Sequence, residues 1–135
     1  MARGRPPVLD PAVRSLAEAR STVTLATLMP DGRPHTTLVW AHADAEHLLI
    51  GTNKGRQKYR NVVSDPRVSV VIIDPDNWRR YVEVRGRVTR IDTGQPALDL
   101  VHTTFTKWTG SPAPISVEAE RVLLRIIADR IIWKD

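Results

Sequence analysis

The stretch His47-Leu48-Leu49-Ile50-Gly51-Thr52-Asn53-Lys54-Gly55-Arg56-Gln57-Lys58-Tyr59-Arg60-Asn61 reads as a short apolar strand, a tight polar turn and the first turn of a helix. The strand is expected from His47 to Gly51, and the turn carries Thr52, Asn53 and Gly55. The helix is expected from about Arg56 to Ser64, with Tyr59, Val62 and Val63 as its apolar edge. Its start carries the wrong sign of charge. A helix N-terminus holds roughly half a positive charge and favours Asp or Glu, yet Lys54, Arg56, Lys58 and Arg60 crowd this one. Arg56 and Arg60 also form an i,i+4 like-charge pair, which costs a helix roughly 0.2–0.5 kcal/mol. A bound anion relieves both faults: free backbone N–H groups, a glycine that admits a ligand and two or three cations make a phosphate or carboxylate site. A solvated basic helix face has the same spacing, and on spacing alone both readings stand.

Upstream, Asp44-Ala45-Glu46 turns the chain into this strand from a longer one, Arg33 to His42. That strand pairs back across Pro30-Asp31-Gly32 with the alternating, β-branched run Thr22 to Met29, so three consecutive antiparallel strands are expected. Leu9-Asp10-Pro11 opens a first helix, with Asp10 as N-cap, Pro11 at the first helical position and Val13, Leu16 and Ala17 on one face; it ends near Arg20-Ser21. Downstream, Asp65-Pro66 stops the organising helix. Arg67 to Ile73 is apolar on both faces, and Asp74 to Asn77 is a loop with Trp78 at its end. From Arg79 to Ile91 the chain alternates, and Gly86 in its middle marks a bulge or sharp bend. Leu98, Val101, Phe105 and Trp108 space a second long helix from about Gln95 to Trp108, closed by Thr109-Gly110. After a Pro-containing loop from Ser111 to Ser116, Glu120 to Ala128 is the sixth strand, which Arg130 to Trp133 extends past a bend at Asp129. The expected fold is mainly β (α+β): a six-stranded antiparallel barrel with flanking helices.

At 135 residues the chain, 1–135, suits one domain with a real core, residues 1–8 forming a basic, mobile arm. A net charge of +5 suits anionic partners. The absence of cysteine excludes disulfides, thiol nucleophiles and Cys-based zinc sites. No apolar run is long enough to span a membrane, and no hydrophobic segment follows Met1 to Pro7, so the reading is a cytoplasmic protein with no membrane partner. A nucleic-acid partner is disfavoured, since one Phe and two Tyr leave little for base stacking.

The side chains assemble no catalytic set. There is no Gly-x-Ser-x-Gly elbow, the four histidines (His35, His42, His47, His102) lack metal-ligand spacing, and paired carboxylates at a common site are not apparent. Neither a catalytic residue nor a metal is assigned, and protease and glycosidase readings fail for lack of parts. Trp108 is expected in the core, and Trp133 in the core or at a dimer contact. Trp40 and Trp78 sit at strand and loop ends, where they either wall a planar ligand or pack in the ordinary way. An anion clamp with planar walls and no acid–base machinery suits a protein whose bound cofactor does the chemistry.

Several segments, in order, carry a family resemblance: Val23 to Leu28, Pro30 to Pro34, Val39-Trp40, Gly55 to Val62, Asp65 to Ser69 and Arg80 to Gly86. Together they cover about residues 20 to 90 and make the chain resemble the pyridoxamine 5′-phosphate oxidase-like split β-barrel proteins, the flavin/deazaflavin oxidoreductase superfamily. It is most similar to the coenzyme F420-dependent branch. No single motif is specific, but the ordered set is.

The resemblance implies a split barrel, a homodimer with the cofactor at the subunit interface, and hydride transfer between reduced F420 and a small organic substrate. It implies that Arg56 and Lys58 contact the cofactor phosphate or acidic tail, with Thr52 and Asn53 in the same turn. It places Trp40, with Val39 beside it, at the end of the strand under the cofactor ring, and Trp78 near the ring or tail. FMN in the same fold is the alternative cofactor; a non-catalytic protein that binds a cofactor or tetrapyrrole is the alternative role. The chain lacks, after Ser116, the Trp and Arg motifs of pyridoxamine phosphate oxidases proper, which argues against vitamin B6 oxidation. Phe105 to Gly110 also replaces a Tyr-Gly-containing segment of the F420 branch, so the substrate pocket is expected to differ.

Overall fold

The computed structural model describes residues 8–134. All but the last residue of the expected N-terminal arm therefore lies outside the described residues. The elements run α1 (Pro11–Glu18), β1 (Thr22–Leu28), β2 (Pro34–Val39), β3 (Ala41–Ala43), β4 (Leu48–Asn53), α2 (Gln57–Ser64), β5 (Arg67–Ile73), β6 (Tyr81–Asp92), α3 (Gln95–Thr109), a 3₁₀ turn (Ile115–Glu118) and β7 (Arg121–Lys134). α1 begins where the sequence predicts: the Asp10 carboxylate accepts the backbone N–H groups of Ala12 (2.8 Å) and Val13 (3.3 Å), and Pro11 follows it. Its apolar stripe, Val13, Leu16 and Ala17, is buried against the sheet.

The strands form one antiparallel sheet in the order β2-β1-β5-β6-β7-β4-β3. There are seven where the sequence predicts six, because the expected strand from Arg33 to His42 breaks at Trp40. β2 pairs with β1 and β3 with β4, at opposite edges of the sheet, so the third expected hairpin partner moves away from the first two. Val39 and Ala41 end and begin these strands with one residue between them, a span of at most about 7.6 Å. The two edges must therefore approach each other, and the sheet curls into a half-barrel. Alternate side chains line its interior: Val23, Leu25, Ile50, Val70, Ile72, Val82, Val84, Leu124 and Ile126 are each 2% exposed or less. Each is worth roughly 1.5–3 kcal/mol of transfer free energy.

The bulge expected at Gly86 and the bend expected at Asp129 are one feature. Arg85 opposes Arg130 but Gly86 opposes Ala128, leaving Asp129 without a partner residue. A β-carbon at Gly86 would collide with the Ile127 carbonyl oxygen. β7 thereby continues as one strand to Lys134.

The third helix packs on β7, β4 and β3 and is tethered near its end. Lys107 Nζ donates to the carbonyls of Ala41 (2.5 Å) and Ala17 (3.1 Å). Burial pulls its pKa from 10.5 down to about 8, against the opposing pull of Glu18. Between those values the unfolded chain holds a proton that the folded chain has released, so this group makes stability rise with pH across that window. The stability difference between the wild type and Lys107→Met should accordingly shift in favour of the wild type from pH 8 to pH 10.5 in urea titrations. A difference that does not change with pH contradicts this account of Lys107.

Candidate functional site

The chain between β4 and α2 is fixed by its own backbone. Lys54 N–H donates to the Glu120 carbonyl (3.1 Å), the Asn53 side-chain oxygen accepts Gly55 N–H (3.0 Å), and Arg56 N–H returns to the Asn53 carbonyl (3.1 Å). Arg56 is the N-cap of α2, with no side-chain cap bond and no acidic residue in the first turn. Arg56 thus lies outside the helix proper, where the sequence predicts a helical i,i+4 pair with Arg60. Arg60 turns back instead, donating to the Gly55 carbonyl (3.1 Å) and to Gln57 Oε1 (2.8 Å). The inner edge of α2 also differs from the expected one. Val62 is buried and Tyr59 packs on the core, but Val63 is 59% exposed. Asn61 is buried in its place, donating to Thr27 Oγ1 (3.0 Å).

Beside this turn lies a cleft of about 330 Å³. Leu38, Val39 and Trp40 form one wall, Gly51 and Thr52 of β4 the floor, and Thr104 of α3 the far side. Arg56, Lys58 and Arg121 converge on it. Thr52 is a strand residue, not the expected turn residue: it pairs with Val122 and is buried. Burial first, then the charges of Arg56 and Arg121, lower the Lys58 pKa. Burial first, then Arg56, lowers that of Arg121. The Arg121 Nε donor is itself buried with no acceptor among the described residues. The charges bearing on these groups are thus all positive, and the donor set fits a phosphate or carboxylate.

Trp40, 38% exposed, is braced from behind by α3. It stacks on Trp108 (6.3 Å between centroids, 7° between planes) and meets Phe105 edge-on (5.8 Å, 81°). Trp108 is therefore not the core residue expected but a half-buried support, and the Arg20 guanidinium covers it at 5.4 Å. Five of the predicted site residues, Val39, Trp40, Thr52, Arg56 and Lys58, come together in the cleft. Asn53 does not line it; its side chain shapes the adjoining turn. Trp78 is also elsewhere within the chain, 79% exposed beside Val71, Ile73 and Tyr81. Arg80 pairs with Asp74 (3.0 Å) and covers Trp133 (4.4 Å), away from the cleft lining. Arg121, Gly51 and Thr104 were not among the predicted residues. Gly51 alone carried a local signal, a glycine inside an apolar strand.

Residues 9–133 match the sequence model of the family described as pyridoxamine 5′-phosphate oxidase. The chain belongs to that family. Two solved structures are close enough to add weight to the pyridoxamine 5′-phosphate oxidase family assignment. One, an F420 reductase, is 33% identical, with a TM-score of 0.78 over 88% of this chain and 94% of its own. The other, a conserved hypothetical protein from Mycobacterium tuberculosis, is 30% identical, with a TM-score of 0.76 over 100% of this chain and 90% of its own. General Stress Protein 26 from Bacillus anthracis str. Sterne shares the fold at 20% identity (TM-score 0.68, 90% and 89% coverage). The chain is thus a flavin-related oxidoreductase of the pyridoxamine 5′-phosphate oxidase-like type. Among the described residues no helix is long and apolar enough to cross a membrane.

Proposed function

We propose that this protein is an F420-dependent oxidoreductase, acting as a homodimer on a small, oxidised organic substrate. One observation carries the reading: Arg56, Lys58 and Arg121 converge, against their mutual repulsion, on a cleft walled by a braced tryptophan. Three cations suit the phosphate and the tail carboxylates of a deazaflavin, and charge-assisted contacts are the strong ones. The 33% identical F420 reductase supports this choice of cofactor. A bound deazaflavin supplies hydride transfer, so no side chain need be a chemical catalyst. The work of this chain is to bind and orient: Arg56 and Lys58 hold the anionic end, while Val39 and Trp40 present a flat, partly apolar wall. FMN is the second reading, because cations this close together also suit a single phosphate.

The homodimer rests on an uncovered sheet face. The register aligns Leu38 with Thr24, Thr24 with Val71, and Ile73 with Tyr81, so these side chains share one surface. Leu38 on it is 74% exposed and also lines the cleft. A second copy seated on this face would bury it and complete the cleft wall.

Turnover tests the role. The purified protein should oxidise reduced F420 in the presence of a conjugated carbonyl or nitro acceptor, over many equivalents. F420 bound without turnover against a broad acceptor panel would favour the non-catalytic cofactor-binding role.

A further inference from the structure

Two arginines leave β7 on the same face, four residues apart, and meet opposite surroundings. Arg125 is satisfied by carboxylates: Nε donates to Asp92 (2.6 Å) and Nη1 to Asp44 (2.9 Å). Arg121 lies beside a small apolar cluster of Leu49, Ala97, Leu100 and Leu123, with its Nε buried and no acceptor for it among the described residues. Its path depends on Gly51. A β-carbon there would stand 2.9 Å from Arg121 Nη2 and 3.5 Å from Leu100 Cδ2, so the guanidinium runs through a slot between β4 and α3 that a glycine leaves open. The preceding residue, Glu120, holds a left-handed φ of +52° at the start of β7, a conformation rarely adopted by a residue with a side chain.

The geometry points to Arg121 as a third anion-binding residue, held over the floor of the cleft by Gly51 and directed at a phosphoryl group. The inference rests on the anion-binding reading of the cleft and not on which cofactor fills it. A guanidinium offers a planar fork that matches two phosphoryl oxygens, which an ammonium does not. Arg56 and Lys58 approach from the start of α2 while Arg121 comes from β7, so a phosphoryl group between them is gripped from two elements. One buried charge-assisted contact is worth roughly tenfold or more in affinity.

The test uses inorganic phosphate as the probe, titrated into the purified protein and followed by tryptophan fluorescence and thermal unfolding. Relative to wild type, Arg121→Gln should raise the half-saturating phosphate concentration roughly tenfold or more. Arg121→Lys should recover only part of the loss, because it restores charge without the fork. Gly51→Ala should weaken phosphate binding while leaving the ligand-free melting temperature nearly unchanged, since the atom it crowds is the tip of a flexible side chain. Unchanged phosphate saturation in Arg121→Gln, with a lowered melting temperature, would make Arg121 a structural strut and overturn the inference. So would a wild type with no saturable response to phosphate. F420 and FMN, titrated separately into the wild type, report on cofactor choice: if F420 fails while the phosphate response still depends on Arg121, the deazaflavin reading falls and this one stands.

Discussion

Replacing Arg56 and Lys58 together by alanine should weaken cofactor binding by about two orders of magnitude or more, with the fold intact. On the proposed reading each would make a charge-assisted contact worth roughly 1.5–3 kcal/mol, and two such losses correspond to about 10²–10⁴ in the dissociation constant. The same change costs the empty protein almost nothing. Arg56 is an exposed N-cap without a capping bond, and the charges acting on Lys58 are the positive charges of its neighbours. Removing them relieves repulsion, so the ligand-free melting temperature should hold or rise slightly, a trade of stability for function. Isothermal titration with whichever of F420 and FMN the wild type binds, beside a thermal melt, reads both quantities. Wild-type affinity in the double variant would remove these residues from the site, and a collapsed melting temperature would show them to be structural.

Gly86→Val should have the largest effect on the fold. The position cannot hold even a β-carbon without moving the Ile127 backbone, on the strand where β6 and β7 make their longest pairing. Overpacking of a tight site costs about 1–3 kcal/mol, and losing the bulge geometry raises the total to about 3 kcal/mol or more. In a domain of this size that lowers the melting temperature by about 10 °C or more. A thermal melt within about 3 °C of the wild type would show that the bulge tolerates a side chain and that the local account is wrong.

The parts of this fold legible in the sequence were those with local causes. Asp10-Pro11 marks a helix start by a bond within one turn, Pro30-Asp31-Gly32 closes a hairpin, and Gly86 announces a bulge. The break at Trp40 was hidden, because Leu38 to His42 contains no glycine, proline, asparagine or aspartate to mark a strand end. Only the curling of the sheet, which sends β2 and β3 to opposite edges, separates them. In the site, the helix-start cations stood out as a conflict between local charge and the helix dipole, and the structure gathers Arg56 and Lys58 at the cleft. Arg121 could not be found that way. It reads as the second residue of an ordinary strand, and it reaches the cleft through the pairing of β4 with β7, which no short window of sequence contains. Trp78 shows the converse: a loop-end tryptophan has the composition of a ligand wall, yet within one chain it lies on the outer face.

Equilibrium binding of F420 and FMN to the wild-type protein, measured in parallel at moderate salt by cofactor fluorescence, tests the central claim most directly. The account predicts saturable F420 binding, micromolar or tighter on the order of −8 kcal/mol, with FMN binding distinctly weaker. A preference for FMN would make the protein a flavin enzyme of the same fold, and failure to bind either would contradict the assignment of the cleft as a cofactor site.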